Sequence, residues 1–253
     1  MNSTEKTAAL LCRLGEPPYV HGVTELGQKI GCSKSGTYKL LTALIGCGLA
    51  VRAENRKYTL GPMVYLLGKT FERQLGLEKI VKPFLSRLRD QTGENASFSI
   101  VMDGHVVLLY REESFQLVRV AGRAGQERPL NAGANGKVLG AWRPEEEIRQ
   151  WLMETPLTRF TERTIVSPEA LLKEYAEIRK QGYAISDGEL SEETIGISAP
   201  VTDQAGRVWA AVSIGAPRMR VDTPEKRERY IFLVKETARG LSEALQGRSV
   251  EIN

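Results

Sequence analysis

The stretch VTELGQKIGCSKSGTYKLLTALIG, from Val23 to Gly46, reads as two short helices joined by a sharp turn. In its first half, Val23, Leu26 and Ile30 recur at helical spacing, and polar residues fill most of the positions between them. This pattern predicts a short amphipathic helix with a single apolar stripe.

The turn and the second helix carry their own local signals. Gly31 suits the left-handed position that ends a helix, and Ser33 is a typical N-cap for the next one. At 100° per residue, one side of the second helix is expected to hold Thr37, Leu40, Leu41, Leu44 and Ile45. The other side holds Lys34, Ser35, Tyr38, Lys39 and Thr42. These cations, hydroxyls and a phenol suit phosphate oxygens and base edges, although a basic solvated helix face is the alternative.

The distribution of charge favours the nucleic-acid interpretation. The chain has 253 residues and a net charge of +4. Residues 1–75 contain ten Lys or Arg against five Asp or Glu, whereas the remaining residues contain 25 against 26. The excess positive charge therefore belongs to the N-terminal third, as expected if that part contacts a polyanion.

Composition excludes several other classes of protein. Hydrophobic residues make up 42% and charged residues 26%, which is typical of a globular chain rather than a disordered one. No run is long and apolar enough for a membrane span, and we expect a cytoplasmic protein. Cys12, Cys32 and Cys47 lack metal-site spacing and are expected to be small buried residues. His21, in a Pro- and Gly-rich turn, is expected at the surface or as a cap.

A small hairpin follows the second helix of the motif. Leu49, Val51, Tyr58 and Leu60 alternate with polar residues around a polar connection, as two short strands do. Helices followed by such a hairpin describe a winged helix-turn-helix, which places its second motif helix in the major groove. The residues predicted to contact DNA are Ser33, Lys34, Ser35, Thr37, Tyr38, Lys39, Arg52, Arg56 and Lys57.

A further helix is predicted after Gly61 and Pro62. Met63, Leu66, Leu67 and Phe71 recur at helical spacing, which suits a linker helix that packs on its own domain or pairs with a copy of itself. We expect a DNA-binding domain over residues 1–61, a linker over 62–76 and a sensory domain over 77–253.

The C-terminal part is predicted to be an α+β domain with a mostly antiparallel sheet. Strands are expected over residues 96–104, 105–113 and 116–122, with a hairpin turn at Asp103–Gly104. Helices are expected over 145–153 and 168–181, and an acidic loop between two strands follows. A helix–sheet–helix order suggests helices packed on the sheet.

Small residues from Ala132 to Asn135 precede a helix that begins near Gly136. Such a loop directs free N–H groups of a helix N-terminus toward a carboxylate or phosphate, but many helices simply begin in this way. The spacing does not match a phosphate-binding P-loop.

Four stretches in this order resemble the IclR family of bacterial transcription regulators: residues 25–49, YTLGP at 58–62, PLNAGANGKVLGA at 129–141 and GYAISDGELSEETIGISAPV at 182–201. The resemblance covers nearly the whole chain. It implies a winged helix-turn-helix, a dimerising linker and a C-terminal GAF-like domain that binds a small effector. It also implies dimers or dimers of dimers on double-stranded operator DNA. We expect no cofactor and no membrane partner.

The resemblance also implies roles for individual residues. The family's recognition helix begins with a Ser-Thr pair and continues to an Arg, where this chain has Ser35, Gly36 and Lys39. Lys39 keeps the positive charge but lacks the guanidinium fork, which favours a phosphate contact over a guanine contact. The positions that match the family's effector pocket are Ala134, Asn135, Ser186, Glu189, Gly196, Ser213 and Gly215.

We therefore predict a ligand-responsive DNA-binding regulator, most members of this family being repressors, with a small organic acid as effector. One alternative is an enzyme that uses carboxylates such as Asp187 and Glu189 for acid–base chemistry. Against it, the C-terminal part has no cysteine and one histidine, so thiol chemistry and a histidine triad lack their parts. A second alternative is a sensor whose N-terminal domain binds protein rather than DNA.

Overall fold

In the computed structural model, residues 1–102, 105–122 and 127–246 are described. The chain divides into two compact units, Met1–Gly76 and Leu77–Asn253, which combine helices with antiparallel sheets. The hairpin turn predicted at Asp103–Gly104 lies outside the described residues. Within the described ranges, no helix is both long and apolar enough to cross a membrane.

The N-terminal unit is a winged helix-turn-helix. Its elements are α1 (Ser3–Leu14), β1 (His21–Gly22), α2 (Val23–Lys29), α3 (Lys34–Gly46), β2 (Ala50–Arg52), β3 (Lys57–Leu60) and α4 (Pro62–Leu75). The strands form an antiparallel sheet in the order β1–β3–β2. The helices and the hairpin share one core, which includes Leu10, Leu14, Leu26, Leu41, Leu44 and Tyr58.

The turn between α2 and α3 forms as its local signals predict. Gly31 has a φ of +59°, and the Ser33 Oγ accepts a hydrogen bond from the Gly36 N–H at 3.1 Å. A third residue, Gly27, permits the close approach of the two helices. A Cβ added there would lie 2.8 Å from both the Cys32 carbonyl oxygen and the Thr37 Oγ1.

Two expectations about single residues of this unit are wrong. His21 is fully buried, with Nδ1 3.1 Å from Glu25 Oε1 and Nε2 3.0 Å from the Glu16 carbonyl oxygen. Cys12 and Cys47 are exposed and Cys32 is half-buried. Neither result was visible in the local sequence, because burial here depends on how α1, β1 and β3 come together.

The C-terminal unit is built on one six-stranded sheet. Its elements are α5 (Glu78–Thr92), β4 (Asn95–Met102), β5 (His105–Glu112), β6 (Glu127–Arg128), α6 (Ala134–Ala141), α7 (Glu145–Glu154), α8 (Pro168–Gln181), β7 (Ala184–Asp187), β8 (Thr194–Thr202), β9 (Val208–Pro217) and α9 (Pro224–Ala244). The strand order is β6–β5–β4–β9–β8–β7, and each neighbouring pair is antiparallel. The predicted α+β class is confirmed.

Helices cover both faces of this sheet. Strand β9 buries consecutive residues from Ala210 to Ile214, whose side chains alternate between the faces. Helices α5 and α9 pack on each other and on strands, while α6 packs on the sheet and on α8. The sheet is therefore a central layer, and any cavity on it must lie between a helix and the strands.

The strand predicted over residues 116–122 does not form. Leu117 is 97% exposed, and the Val120 carbonyl accepts hydrogen bonds from the side chains of Asn95 and Arg111 instead of from a neighbouring strand. Its apolar residues mimic a strand in sequence, but the segment lies along the edge of the cavity described below.

We expect Gly27→Ala to destabilise the N-terminal unit. The added methyl meets backbone and a buried hydroxyl, and such overpacking costs roughly 1–3 kcal/mol, against a gain of about 1 kcal/mol in helix propensity. Amide hydrogen exchange of α2 and α3 in the full chain should be faster in the variant. Gly46→Ala is the control, because a Cβ at that position meets nothing within 4 Å. Equal protection in both variants would contradict the expectation.

Candidate DNA-binding face and effector cavity

The outer side of α3 is exposed and free of carboxylates. Lys34, Ser35, Tyr38 and Lys39 are all exposed there, with Tyr38 54% accessible. Ser33 caps the helix, and its Oγ also lies 3.3 Å from that of Ser35. Because the first N–H groups of a helix attract anions, this end of α3 suits a phosphate as well as a base edge.

Thr37 does not belong to that exposed face. Its side chain is fully buried, and its Oγ1 donates a hydrogen bond to the Ser33 carbonyl at 3.0 Å. The hydroxyl lies where α2 approaches α3, next to Gly27. The predicted DNA contact by Thr37 is therefore wrong, and the residue stabilises the turn instead.

The wing presents the three predicted cations. Arg52 ends β2, Lys57 begins β3, and Arg56 lies in the short 3-10 turn between them. All three side chains are exposed. The sequence pattern located this cationic hairpin correctly, since its position follows from strand alternation alone.

A cavity of about 110 Å³, partly open to solvent, lies between the N-terminus of α6 and the sheet. Six of the seven residues predicted to bind an effector line it: Ala134, Asn135, Ser186, Gly196, Ser213 and Gly215. Arg111 and Val120 line the opposite side. These residues lie up to about a hundred positions apart in the chain, and the sheet brings them together.

A row of hydroxyl side chains crosses the floor of the cavity. Ser97, Ser213 and Ser198 are direct partners on β4, β9 and β8, and partners on adjacent strands point to the same face. The Ser97 and Ser213 Oγ atoms are 2.7 Å apart, and the Ser198 Oγ donates to the Asn135 Oδ1 at 2.7 Å. The Asn135 Nδ2 donates to the Ser99 Oγ at 2.9 Å.

Small residues permit α6 to lie this close to the sheet. A Cβ at Gly136 would lie 2.0 Å from the Pro129 carbonyl oxygen, and one at Gly196 would lie 3.3 Å from the Ala134 Cβ. Packing alone thus accounts for part of the small-residue pattern. The same closeness leaves the first N–H groups of α6, which have no partner within the helix, at the cavity.

Glu189 does not line this cavity, contrary to the prediction. Its Oε1 lies 2.5 Å from the buried Nζ of Lys137, which also contacts Glu174 Oε1 at 2.8 Å and the Ile185 carbonyl at 2.6 Å. Burial raises the pKa of the Glu189 carboxyl, and the charge of Lys137 opposes that shift. Nothing in the sequence indicated that Lys137 is a buried cation, because no local pattern distinguishes it from a surface lysine.

The carboxylates that could serve an enzyme are occupied. Asp187 is 2.7 Å from Arg218 Nε, 3.0 Å from Arg227 Nη2 and 3.8 Å from Arg163 Nη1. Glu189 is held by Lys137 as described above. No cluster of three or more His, Cys, Asp or Glu side chains suited to a metal occurs among the described residues. Both carboxylates named as catalytic candidates are therefore engaged in ion pairs.

Comparisons with known proteins agree with this architecture. The family model described as bacterial transcriptional regulator IclR C-terminal matches residues 71–243. HTH-type transcriptional regulator KdgR of Escherichia coli (strain K12) is 32% identical over 243 residues, covering 96% of this chain and 92% of KdgR. HTH-type transcriptional repressor AllR of Klebsiella pneumoniae is 30% identical over 242 residues, covering 95% of this chain and 89% of AllR.

One solved structure shares the fold over nearly its full length. An IclR homolog from Microbacterium hydrocarbonoxydans, complexed with 4-hydroxybenzoate, has a TM-score of 0.80 at 22% identity, covering 96% of this chain and 99% of that chain. A helix-turn-helix domain followed by a sensory domain with a cavity defines a ligand-responsive transcription regulator. The chain belongs to the IclR family of bacterial transcription regulators, and these relatives are regulators rather than enzymes.

We expect Lys137→Met to destabilise the C-terminal unit by about 3–5 kcal/mol at pH 7, because Glu189 becomes a buried, unpaired carboxylate. Since burial raises the folded-state pKa of Glu189, the protonated form is favoured on folding. Stability of the variant should therefore rise as the pH falls toward the ordinary range of a glutamate. Urea denaturation between pH 5 and 8 measures both effects.

A second substitution separates charge from packing. Lys137→Met combined with Glu189→Gln should recover part of the lost stability and should remove the pH dependence. Arg149→Met serves as the control, because Arg149 and Glu145 form an exposed pair that is worth about 1 kcal/mol or less. A Lys137→Met variant as stable as the control would show that the buried pair is unimportant.

Proposed function

We propose that this protein binds operator DNA through α3 and the wing, and that a small organic acid in the C-terminal cavity changes its affinity for DNA. The main support for DNA binding is the exposed face of α3, which has two lysines, hydroxyls, a phenol and no carboxylate. The surplus of positive charge in residues 1–75 supports it.

The proposed contacts divide into two kinds. Ser33, Lys34 and Ser35 are grouped at the N-terminus of α3 and suit the phosphate backbone, while Tyr38 and Lys39 lie one turn further along. Arg52, Arg56 and Lys57 extend the basic surface to the wing. This arrangement gives an affinity that depends strongly on salt, because each neutralised phosphate releases counterions.

Helix α4 supports the proposal of a dimer, or a dimer of dimers. None of its residues is buried in this chain. Leu66 and Leu67 are each 55% exposed, and Met63 and Phe71 lie on the same side of the helix. An apolar stripe of this kind is stabilised when a second copy covers it. Two heads held together in this way suit a palindromic operator in the cytoplasm.

The cavity supports a small acid as effector. Free N–H groups at the N-terminus of α6 and the hydroxyl of Ser213 provide donors for a carboxylate. Glycine and alanine residues at 132–136 leave room for a compact ligand. We propose repression as the outcome of DNA binding, in line with the repressors among the relatives.

Replacing Lys34 and Lys39 by glutamate together should abolish tight binding to the chain's own promoter fragment. Charged hydrogen bonds are worth roughly 1.5–3 kcal/mol each, so affinity should fall by about 100-fold or more. Where binding is still measurable, the slope of log K against log salt should decrease by about 0.9 for each lost phosphate contact. Fluorescence anisotropy over a salt series gives both quantities.

The matched control is Lys173→Glu with Lys180→Glu, which changes the net charge equally on exposed positions of α8. This variant should bind DNA almost as the wild type does. Unchanged DNA affinity in the α3 variant, with the fold intact by circular dichroism, would favour a head that binds protein.

Substituting Leu67 by glutamate on α4 should weaken self-association and, with it, operator binding. A charge on the apolar stripe opposes its burial against a second copy. Light scattering coupled to size exclusion measures the mass over a dilution series. Tyr65→Glu is the control, since Tyr65 is 67% exposed on the opposite side of α4. If both variants keep the wild-type mass, α4 is not the interface.

A further inference from the structure

The cavity wall contains a cation, Arg111, that forms no ion pair with a described residue, although the charge of Glu113 acts on it at longer range. Arg111 lies on β5 and lines the cavity, and none of the ion pairs formed between described residues includes it. The acids that follow it in sequence have other partners. Glu112 Oε2 is 2.7 Å from Arg89 Nη1, and Glu113 Oε2 is 3.3 Å from Arg119 Nε.

The guanidinium of Arg111 is held in place by neutral groups. Its Nη2 donates to the Val120 carbonyl, which also accepts a hydrogen bond from the Asn95 Nδ2 at 3.0 Å. Its Nε is buried and has no hydrogen-bond partner within the described part of the chain. Leaving a charged donor buried and unpaired costs free energy, and an anion bound at this position would remove that cost.

Burial also lowers the pKa of Arg111. An arginine nevertheless remains protonated at neutral pH, so the positive charge persists in the cavity wall.

Arg111 stands at one end of the hydroxyl row, and the N-terminus of α6 stands over the row itself. Arg111 is the direct partner of Ser97, which is the partner of Ser213 on the next strand. Arg111 and Ser213 are thus two strands apart, a backbone separation of about 9–10 Å. Asn135, at the start of α6, contacts Ser99 and Ser198. The cavity therefore offers positive potential both at the Arg111 guanidinium and at the first N–H groups of α6, next to neutral hydroxyls.

We infer that the effector is a small dianion, with one acidic group at the N-terminus of α6 and Ser213 and a second acidic group on the Arg111 guanidinium. The inference rests on the proposed function in taking this cavity as the effector site. A monoacid satisfies only one end and leaves Arg111 Nε without a partner. A diacid of suitable length satisfies both, and Arg111 then selects for the second charge.

The test uses dicarboxylates and their monomethyl esters, which keep the length and remove one charge. The probes are malonate, succinate, glutarate, adipate, pimelate, isophthalate and terephthalate, titrated into the full chain by calorimetry and thermal shift. At least one diacid should bind about tenfold to a hundredfold more tightly than its monoester, as a charged hydrogen bond to a buried donor provides.

Arg111→Gln should remove this preference by lowering the affinity for the diacid to that for its monoester, and its unliganded melting temperature should be equal to or higher than that of the wild type. Arg111→Lys, which keeps the charge, should retain part of the preference and serves if the glutamine variant does not fold. Arg149→Gln, which removes the cation of the exposed pair with Glu145 on α7, should behave as the wild type. Equal binding of every diacid and its monoester to the wild type, or an intact preference in Arg111→Gln, would overturn the inference.

Promoter binding by the same unliganded preparations distinguishes the two proposals. If the chain binds its promoter but does not prefer diacids, the dianion inference is wrong and the proposed regulatory function stands. If the chain prefers diacids through Arg111 but does not bind DNA, the proposed function is wrong and the dianion site stands.

Discussion

The contacts of Asn135 hold the sensory domain in a shape that includes a cavity. Its side chain accepts a hydrogen bond from Ser198 on β8 and donates one to Ser99 on β4, so it ties the first turn of α6 across three strands. Gly136 and Gly196 allow this approach because larger side chains would collide with backbone or with Ala134. Helix α6 is thereby fixed near the sheet at its N-terminus, where its unpaired N–H groups and the serine row enclose space for a ligand.

The ionised groups around this cavity fall into two contrasting types. Lys137 is fully compensated by Glu189, Glu174 and a backbone carbonyl, and it ties the loop after β7 to α6 and α8. Arg111 is held by a neutral carbonyl and lacks a counter-ion among the described residues. The first type stabilises the surrounding structure, and the second leaves a positive charge that a bound anion can neutralise. The position of either cation in the sequence did not reveal which type it belongs to.

In the N-terminal unit, one close approach separates structural residues from those available to DNA. Gly27 lets α2 meet the start of α3, and the hydroxyl of Thr37 is buried at that meeting point. The lysines on the other side of α3 are thereby turned outward with Tyr38. Packing does not require the absence of acidic residues on that side, and this absence fits the proposed contact with a polyanion.

The sequence by itself determined the helix-turn-helix, its Ser33 cap, the cationic hairpin and the fold class, because caps, turns and amphipathic periodicity act over a few neighbouring residues. It also placed most of the cavity residues, through a family resemblance. Only the tertiary structure decided that Thr37 and His21 are buried, that residues 116–122 form no strand and that Glu189 forms an ion pair with Lys137. Those outcomes depend on groups far apart in the chain, as Ser97 and Ser213 are, and periodicity carries no information about which distant donor a carbonyl or carboxylate will meet.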